Sequence, residues 1–179
     1  MDRPLNTLMS DLRLPGHLQL AEHWLGLYRN HGDRVPPLSA LDPIRFPKAL
    51  ADSWIVDAEE GRRFRIRLSG ETLVSWYGFN PKGRHYEDLF TPAILPAVTE
   101  QSCRVIGDPA ICYHRMHTTI PDWTVPAFFE RLVLPLADAE GRVRHLVGAT
   151  LFQGEADHGK GGKAAVVDAD YWYAVSAAI

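Results

Sequence analysis

The side chains that could do chemistry fall in a few short stretches. Cys112, His114 and His117 place three metal-type donors within six residues, and thiolate and imidazole are ligands that zinc accepts. An extended strand puts Cys112 and His114 on one face and His117 on the other. One shared ion would need a bulge, no fourth ligand is evident, and no metal site is expected. Arg131 stands inside an apolar run, where an unpaired guanidinium is costly. It must meet an acid such as Glu71 or Asp138, solvent, or a bound anion. Tyr113 and Arg115 share a strand face and could offer an aromatic wall and an anion clamp to a small acid, or form the rim of a pocket. Trp76 and Tyr77 fit core packing or a pocket wall equally. Gly154 to Gly161 nearly spells a phosphate-binding loop, but Gly161 replaces the hydroxyl that would hold magnesium, so the stretch reads as a flexible linker. Ser69, Ser75 and Ser102 have no His and Asp at suggestive spacing, and no carboxylate pair marks a pocket wall. No catalytic constellation is recognisable, and an enzyme is not expected.

These residues must be positioned by elements that periodicity reveals. Residues 1–17 show no sustained period and read as a loose lead-in. Leu20, Trp24, Leu27 and Tyr28 recur at helical spacing in Gln19 to His31, and Gly32 supplies a left-handed stop. Four prolines between Arg34 and Pro47 make an extended connector. Strands are expected at Ser53 to Asp57 and at Phe64 to Leu68, where Phe64, Ile66 and Leu68 alternate with Arg63, Arg65 and Arg67. A short helix follows over Glu71 to Tyr77, closed by Gly78, and another turn over Tyr86 to Phe90. Thr91 and Pro92 suggest the start of a long helix that ends at Gly107. Three strands then follow at Ala110 to Thr119, Phe128 to Ala137 and Val143 to Phe152. A glycine-rich linker and a short C-terminal helix over Asp168 to Ile179 would complete the chain.

The resulting fold class is α+β, a five-stranded antiparallel sheet with helices on one face. The last two strands are apolar on both sides: Leu132, Leu134 and Leu136 alternate with Val133, and Val147, Ala149 and Leu151 with Leu146 and Phe152. An antiparallel sheet normally shows one polar face, so something must cover the second. The helix around Trp24, its copy from another subunit, or the C-terminal segment could do so. A homodimer is expected, with Leu20, Trp24, Leu27 and Tyr28 at its interface.

Composition narrows the classes. The 179 residues are 46% hydrophobic and carry 19 Lys and Arg against 22 Asp and Glu, for a net charge of -3. That balance supplies no basic field for nucleic acid, and no apolar run reaches the ~18 residues a membrane span needs. The N-terminal Asp2, Arg3, Asp11 and Arg13 interrupt any secretory signal. Two cysteines in a chain of this size suit a reducing compartment, and a cytoplasmic location is expected.

The run Phe64-Arg65-Ile66-Arg67-Leu68-Ser69-Gly70-Glu71, then Trp76-Tyr77-Gly78, Gly83-Arg84 and Asp88-Leu89-Phe90, resembles the first half of a PAS domain. Glu130-Arg131-Leu132-Val133-Leu134-Pro135-Leu136, the Asp138 to Gly141 turn and Leu146-Val147-Gly148 resemble its second half, in particular that of a stand-alone bacterial PAS-like family. The resemblance spans roughly Phe46 to Phe152. It implies a sensory or interaction module that encloses a small-molecule pocket between helices and sheet and works as a dimer through an N-terminal helix. It also bears on cofactors. Flavin photosensors of this kind carry a reactive cysteine in an Asn-Cys-Arg motif, whereas the comparable stretch here is Phe79-Asn80-Pro81-Lys82-Gly83-Arg84; haem sensors carry an axial histidine on the long helix, and Pro92 to Ile106 has none. Flavin is disfavoured, haem is too unless His114 or His117 serves from the strand, and no cofactor is expected.

The expected organisation is therefore a lead-in and amphipathic helix over 1–45, a PAS-like domain over 46–153, and a linker with a C-terminal segment over 154–179. Its function would be cytoplasmic sensing of a small organic molecule, with Trp76, Tyr77, Tyr113, Arg115, His117 and Arg131 as ligand-binding residues and a separate output protein as partner. A small enzyme or lipophilic carrier using the same cavity, and a ligand-free adaptor, are the alternatives.

Overall fold

In a computed structural model, residues 2–118, 127–153 and 166–175 are described, with 116–118, 127–128, 153 and 166–169 followed as backbone alone. Pro15 occupies the first turn of helix α2 (Pro15–Asn30), which its fixed φ suits, and α2 stops where Gly32 takes a φ of 70°. Before it, a single turn at Leu5–Thr7 and the short helix α1 (Leu8–Asp11) bury Leu8 and Leu12, so the N-terminal segment is part of the core rather than a loose lead-in. The proline-rich connector forms three short 3-10 turns between Leu38 and Asp52.

Strands β1 (Ser53–Glu59) and β2 (Arg63–Ser69) form a hairpin. Gly61 and Arg62 at its tip both have positive φ, the backbone hand that lets right-twisted strands pair without splaying. Helix α3 (Glu71–Tyr77) ends at Gly78 with φ 72°, as its sequence predicts. The turn α4 (Tyr86–Leu89) follows, then α5 (Leu95–Gly107). Helix α5 starts later than Thr91-Pro92 predicts. The Thr91 carbonyl accepts from the N–H groups of both Ile94 and Leu95, closing a separate turn, and Pro96 then sits in the helix's first turn. Strands β3 (Ala110–Thr118), β4 (Ala127–Ala137) and β5 (Val143–Gln153) form the expected meander.

The sheet has six strands, not five, in the order β2-β1-β5-β4-β3-β6, and every neighbouring pair is antiparallel. The sixth, β6 (Val166–Ala174), lies in the segment expected to be helical. Its Tyr171 and Tyr173 pack with one core while Trp172 packs with the other, which is the period of a strand with both faces covered. The sheet's outer edges are not bare. The β2 edge exchanges backbone bonds with the segment before α4, Ile66 N–H donating to Arg84 O and Gly83 N–H to Ile66 O, while on β6 Trp172 O accepts from Arg3 N–H.

Two cores result, one on each face. Helices α3 to α5 cover Trp54, Val56, Phe64, Ile66, Cys112, Val133 and Leu146. On the other face α1 and α2 cover Ile111, Tyr113, Leu132, Leu134, Leu136, Val147 and Ala149. The second apolar face is therefore covered by the chain's own helix. Leu20, Trp24 and Tyr28, expected at a dimer interface, are buried inside one protomer, and Leu27 is partly buried beside them. The Trp24 indole N–H donates to Pro135 O at 2.7 Å. Pro135 lies past the Cys112–Val133 pair with which the β3–β4 ladder ends, so its missing N–H is not needed there. Among the described residues no helix is long and apolar enough to cross a membrane.

Candidate functional site

The face covered by α3 to α5, called the helix-covered face below, carries a polar row through its apolar surroundings. Strand register sets Asp170 of β6 beside His114 of β3, His114 beside Arg131 of β4, and Arg131 beside Thr150 of β5. Aromatic groups bound this row on both sides. On one side the Arg131 guanidinium lies 4.7 Å from the centroid of Trp54, whose indole N–H donates to Thr150 Oγ1 at 2.9 Å. The Trp54 ring can lie this close to β5 because residue 148 is glycine: a Cβ there would sit 2.3 Å from the ring. On the other side Trp76 of α3 stacks on Phe152 at 4.3 Å and meets Phe129 edge-on at 5.4 Å. Tyr77 of α3 packs against the same core, and Gln101 of α5 reaches both the His114 ring nitrogen Nε2 and, at 3.4 Å, Cys112 Sγ.

Electrostatics follow from burial. Desolvation lowers the His114 pKa to about 4, the charges of Arg131 and Arg104 acting in the same direction and Asp170 opposing them; the ring is neutral at pH 7. The Gln101 amide donates to Nε2, which leaves the ring proton on Nδ1. Burial pushes the Tyr77 hydroxyl up to about 12 and the Cys112 thiol well above its ordinary value, with Arg131 pulling both the other way. Both groups stay protonated. Two buried nitrogens on this face, His114 Nδ1 and Arg131 Nε, have no hydrogen-bond partner. His114 Nδ1 comes within 3.4 Å of Asp170 Oδ1 without forming a hydrogen bond. An unsatisfied buried donor costs about 1–3 kcal/mol, more when charged. The bland expectation for Arg131, a pairing with Glu71 or Asp138, is not met: Asp138 is taken by Arg142, and among the described residues Arg131 has no carboxylate.

Cys112, His114 and Asp170 bring three metal-type donor atoms within 4.8 Å of one another, with Asp170 in the place that sequence reasoning gave to His117. A protonated thiol and the neighbouring Arg131 and Arg104 charges both work against a cation there.

The predicted ligand set divides. Trp76, Tyr77 and Arg131 come together on the helix-covered face. Tyr113 and Arg115 lie on the opposite face, beneath the N-terminal helices, so they cannot share a pocket with Arg131. The Tyr113 hydroxyl donates to Glu130 at 2.6 Å, and Arg115 pairs in register with that same Glu130. The His117 backbone pairs with Phe128 and Val166, but its side chain lies outside the described residues, as does the glycine-rich stretch from 154 to 161. Sequence reasoning does not find Trp54, Gln101, Thr150, Phe129 and Phe152, and it offers His114 only as a metal or haem ligand. The even-numbered alternation Leu146, Gly148, Thr150, Phe152 was the available signal for the last strand.

A second polar cluster occupies the hairpin. Asp57 accepts from Arg67 Nε at 2.7 Å, Arg65 Nη2 at 3.3 Å and His145 Nδ1 at 2.8 Å, while Glu59 holds Arg65 Nε at 2.6 Å and His85 Nε2 at 3.0 Å. Of the guanidinium row predicted on β2, Arg65 and Arg67 are thus paired with acids of their own hairpin, and Arg63 with Glu87 of α4. A groove of about 290 Å³, lined by Asp57, Arg65, Arg67 and Lys82, opens beside it to solvent.

No curated protein matches the sequence. Among solved structures the chain is similar to one described as "Structure of an RNA-binding Light-Oxygen-Voltage Receptor", with 18% identity over 65% of this chain and 35% of that one and a TM-score of 0.39; the match spans about a third of that receptor's length. A family profile described as PAS domain matches residues 13–151, from just before α2 into β5. With that match over most of its length and an α+β fold whose antiparallel sheet packs against helices, the chain belongs to the PAS domain family.

Proposed function

We propose that this PAS domain is a sensory module that binds a small organic molecule on the helix-covered face, between α3, α5 and strands β3 to β5, and signals its presence to a separate protein. One observation carries the reading: the His114–Arg131–Thr150 row, with two unsatisfied buried nitrogens, set between Trp54 and the Trp76–Phe129–Phe152 cluster. Apolar walls around a few convergent polar groups are the usual make-up of a small-molecule site. We read binding rather than turnover, since the thiol beside His114, that of Cys112, is buried and held protonated by desolvation rather than activated as a thiolate.

Signalling would run through the sheet to its far side. His17 of α2 contacts Ala149 O at 3.1 Å, one residue from Thr150, and Trp24 bonds Pro135 O. A ligand that favours one setting of these strands over another shifts the population of α2 positions by its difference in affinity for the two. A partner, whether an output protein or a second copy, would read that shift from the outer surface of α2.

Native and denaturing mass spectra of freshly purified protein, followed by thermal-shift screening of small organic compounds, test the reading. A non-covalent passenger of a few hundred daltons, or a compound that raises the melting temperature in wild type and fails to do so in Trp76→Ala, is the expected result. No passenger and no stabilising compound would overturn it.

A further inference from the structure

The inference rests on the reading that this face binds a small molecule, and concerns that molecule's chemistry. Exposed arginines elsewhere in this protein meet acids: Arg104 meets Asp2, Arg65 and Arg67 meet Asp57, Arg3 meets Asp11; on the opposite face Arg115, like Arg131, has a buried Nε without a partner. Arg131 is the exception on its face. Its neighbours in register are a neutral imidazole and a hydroxyl, and among the described residues its guanidinium packs on the face of Trp54. Asp170, the acid on this row, lies two strand spacings away, about 10 Å, on the far side of His114. The guanidinium Nε is buried and without an acceptor, and His114 Nδ1 on the adjoining strand, though 3.4 Å from Asp170 Oδ1, makes no hydrogen bond with it. Both are donors, because Gln101 occupies the other His114 nitrogen. Two unmet donors on directly paired residues, one cationic, specify an anionic acceptor, and the planar fork of a guanidinium matches a carboxylate. Trp76, Phe129 and Phe152 supply flat apolar surface on the same face.

We infer that the ligand is a small organic carboxylate, its oxygens held by the Arg131 guanidinium and His114 Nδ1–H, and its hydrocarbon part set against the Trp76–Phe129–Phe152 cluster. A neutral analogue of the same shape loses the charge-assisted bonds and leaves the donors unmet, so discrimination is expected to be tenfold or more.

Calorimetric titration of the full chain with benzoate, phenylacetate and 3-methylbutanoate, each beside its amide, tests this in wild type, Arg131→Met and Arg131→Lys. The expected result is that at least one acid binds wild type at least tenfold more tightly than its amide, that Arg131→Met abolishes the preference, and that Arg131→Lys restores part of it. An amide that binds as well as its acid, or a preference that survives Arg131→Met, overturns the carboxylate inference while the sensory reading stands. If no probe binds, and the purified protein carries no passenger, both fall together. Melting without ligand gives an independent check. Arg131→Met should melt close to the wild-type temperature, since it removes a half-buried guanidinium that has no carboxylate partner among the described residues and gives up only its stacking on Trp54; a marked drop would mean that the guanidinium already has a partner, and would overturn the inference.

Discussion

Acid should unfold this protein partly through one histidine, His17. The ring sits in the first turns of α2, only 2% exposed, between the helix and β5. Its Nε2–H donates to Ala149 O at 3.1 Å, Nδ1 is buried without a partner, and Tyr113 lies edge-on at 6.0 Å. Protonating Nδ1 would bury a charged donor with no acceptor. Desolvation accordingly lowers the His17 pKa to about 4, against the weaker pull of the Ala149 bond and the Asp52 charge. In the unfolded chain the ring titrates near 6.5, so between those values the unfolded state binds more protons and stability rises with pH. The contribution is complete above about pH 6.5 and is lost as pH falls toward 4. From pH 7 to 4.5 the loss from this group alone is about 2 kcal/mol. Urea unfolding followed by tryptophan fluorescence, at pH 7, 6, 5 and 4.5, measures it in wild type and in His17→Gln, whose amide can still donate to Ala149 O. Other groups, His114 among them, add to the acid slope of both proteins, so the difference between the two slopes is the readout. The wild type should lose about 2 kcal/mol more than the variant over this range. Equal slopes, or a His17 ring titrating near 6.5 by NMR, would refute the reasoning.

Two further substitutions probe the packing. Gly148→Ala drives a methyl group to 2.3 Å from the Trp54 ring and 2.5 Å from Leu132 O; it should cost about 2–3 kcal/mol by urea unfolding and change near-UV circular dichroism through Trp54. Trp24→Ala removes a fully buried indole and its bond to Pro135 O and should cost about 3–5 kcal/mol with no change in the sedimentation mass of the folded fraction, because the residue is buried within one protomer.

Much of the fold can be read from local chemistry. The Phe64–Leu68 alternation located β2, and Gly78 marked the end of α3. The two-sided apolar character of β4 and β5 called for a cover on each face. What local chemistry does not carry is pairing. An apolar helical stripe is the same whether the sheet it covers belongs to its own chain or to another, so Trp24 could not distinguish a core from a dimer interface. Register carries the same ambiguity, because a one-residue slip moves every side chain to the other face. Arg131 could therefore be identified as needing a partner, but not as facing His114 rather than Tyr113 and Arg115. The sixth strand escaped notice because Tyr171-Trp172-Tyr173 stands between a glycine-rich stretch and a small-residue end, and its β character depends on β3 lying alongside.

The backbone bonds at the two rims of the sheet limit how this domain can be recognised. A strand whose outward amides and carbonyls are free is a template for any extended peptide. Here the middle of β2 is already engaged by residues 83–85, and β6 is engaged by Arg3 near its C-terminal end. A partner that adds a strand beside β2 would first have to peel residues 83–85 away, and one beside the C-terminal end of β6 would have to displace Arg3. Extended peptides should therefore make poor competitors for whatever binds the β2 edge of this domain, where recognition should depend on side chains instead.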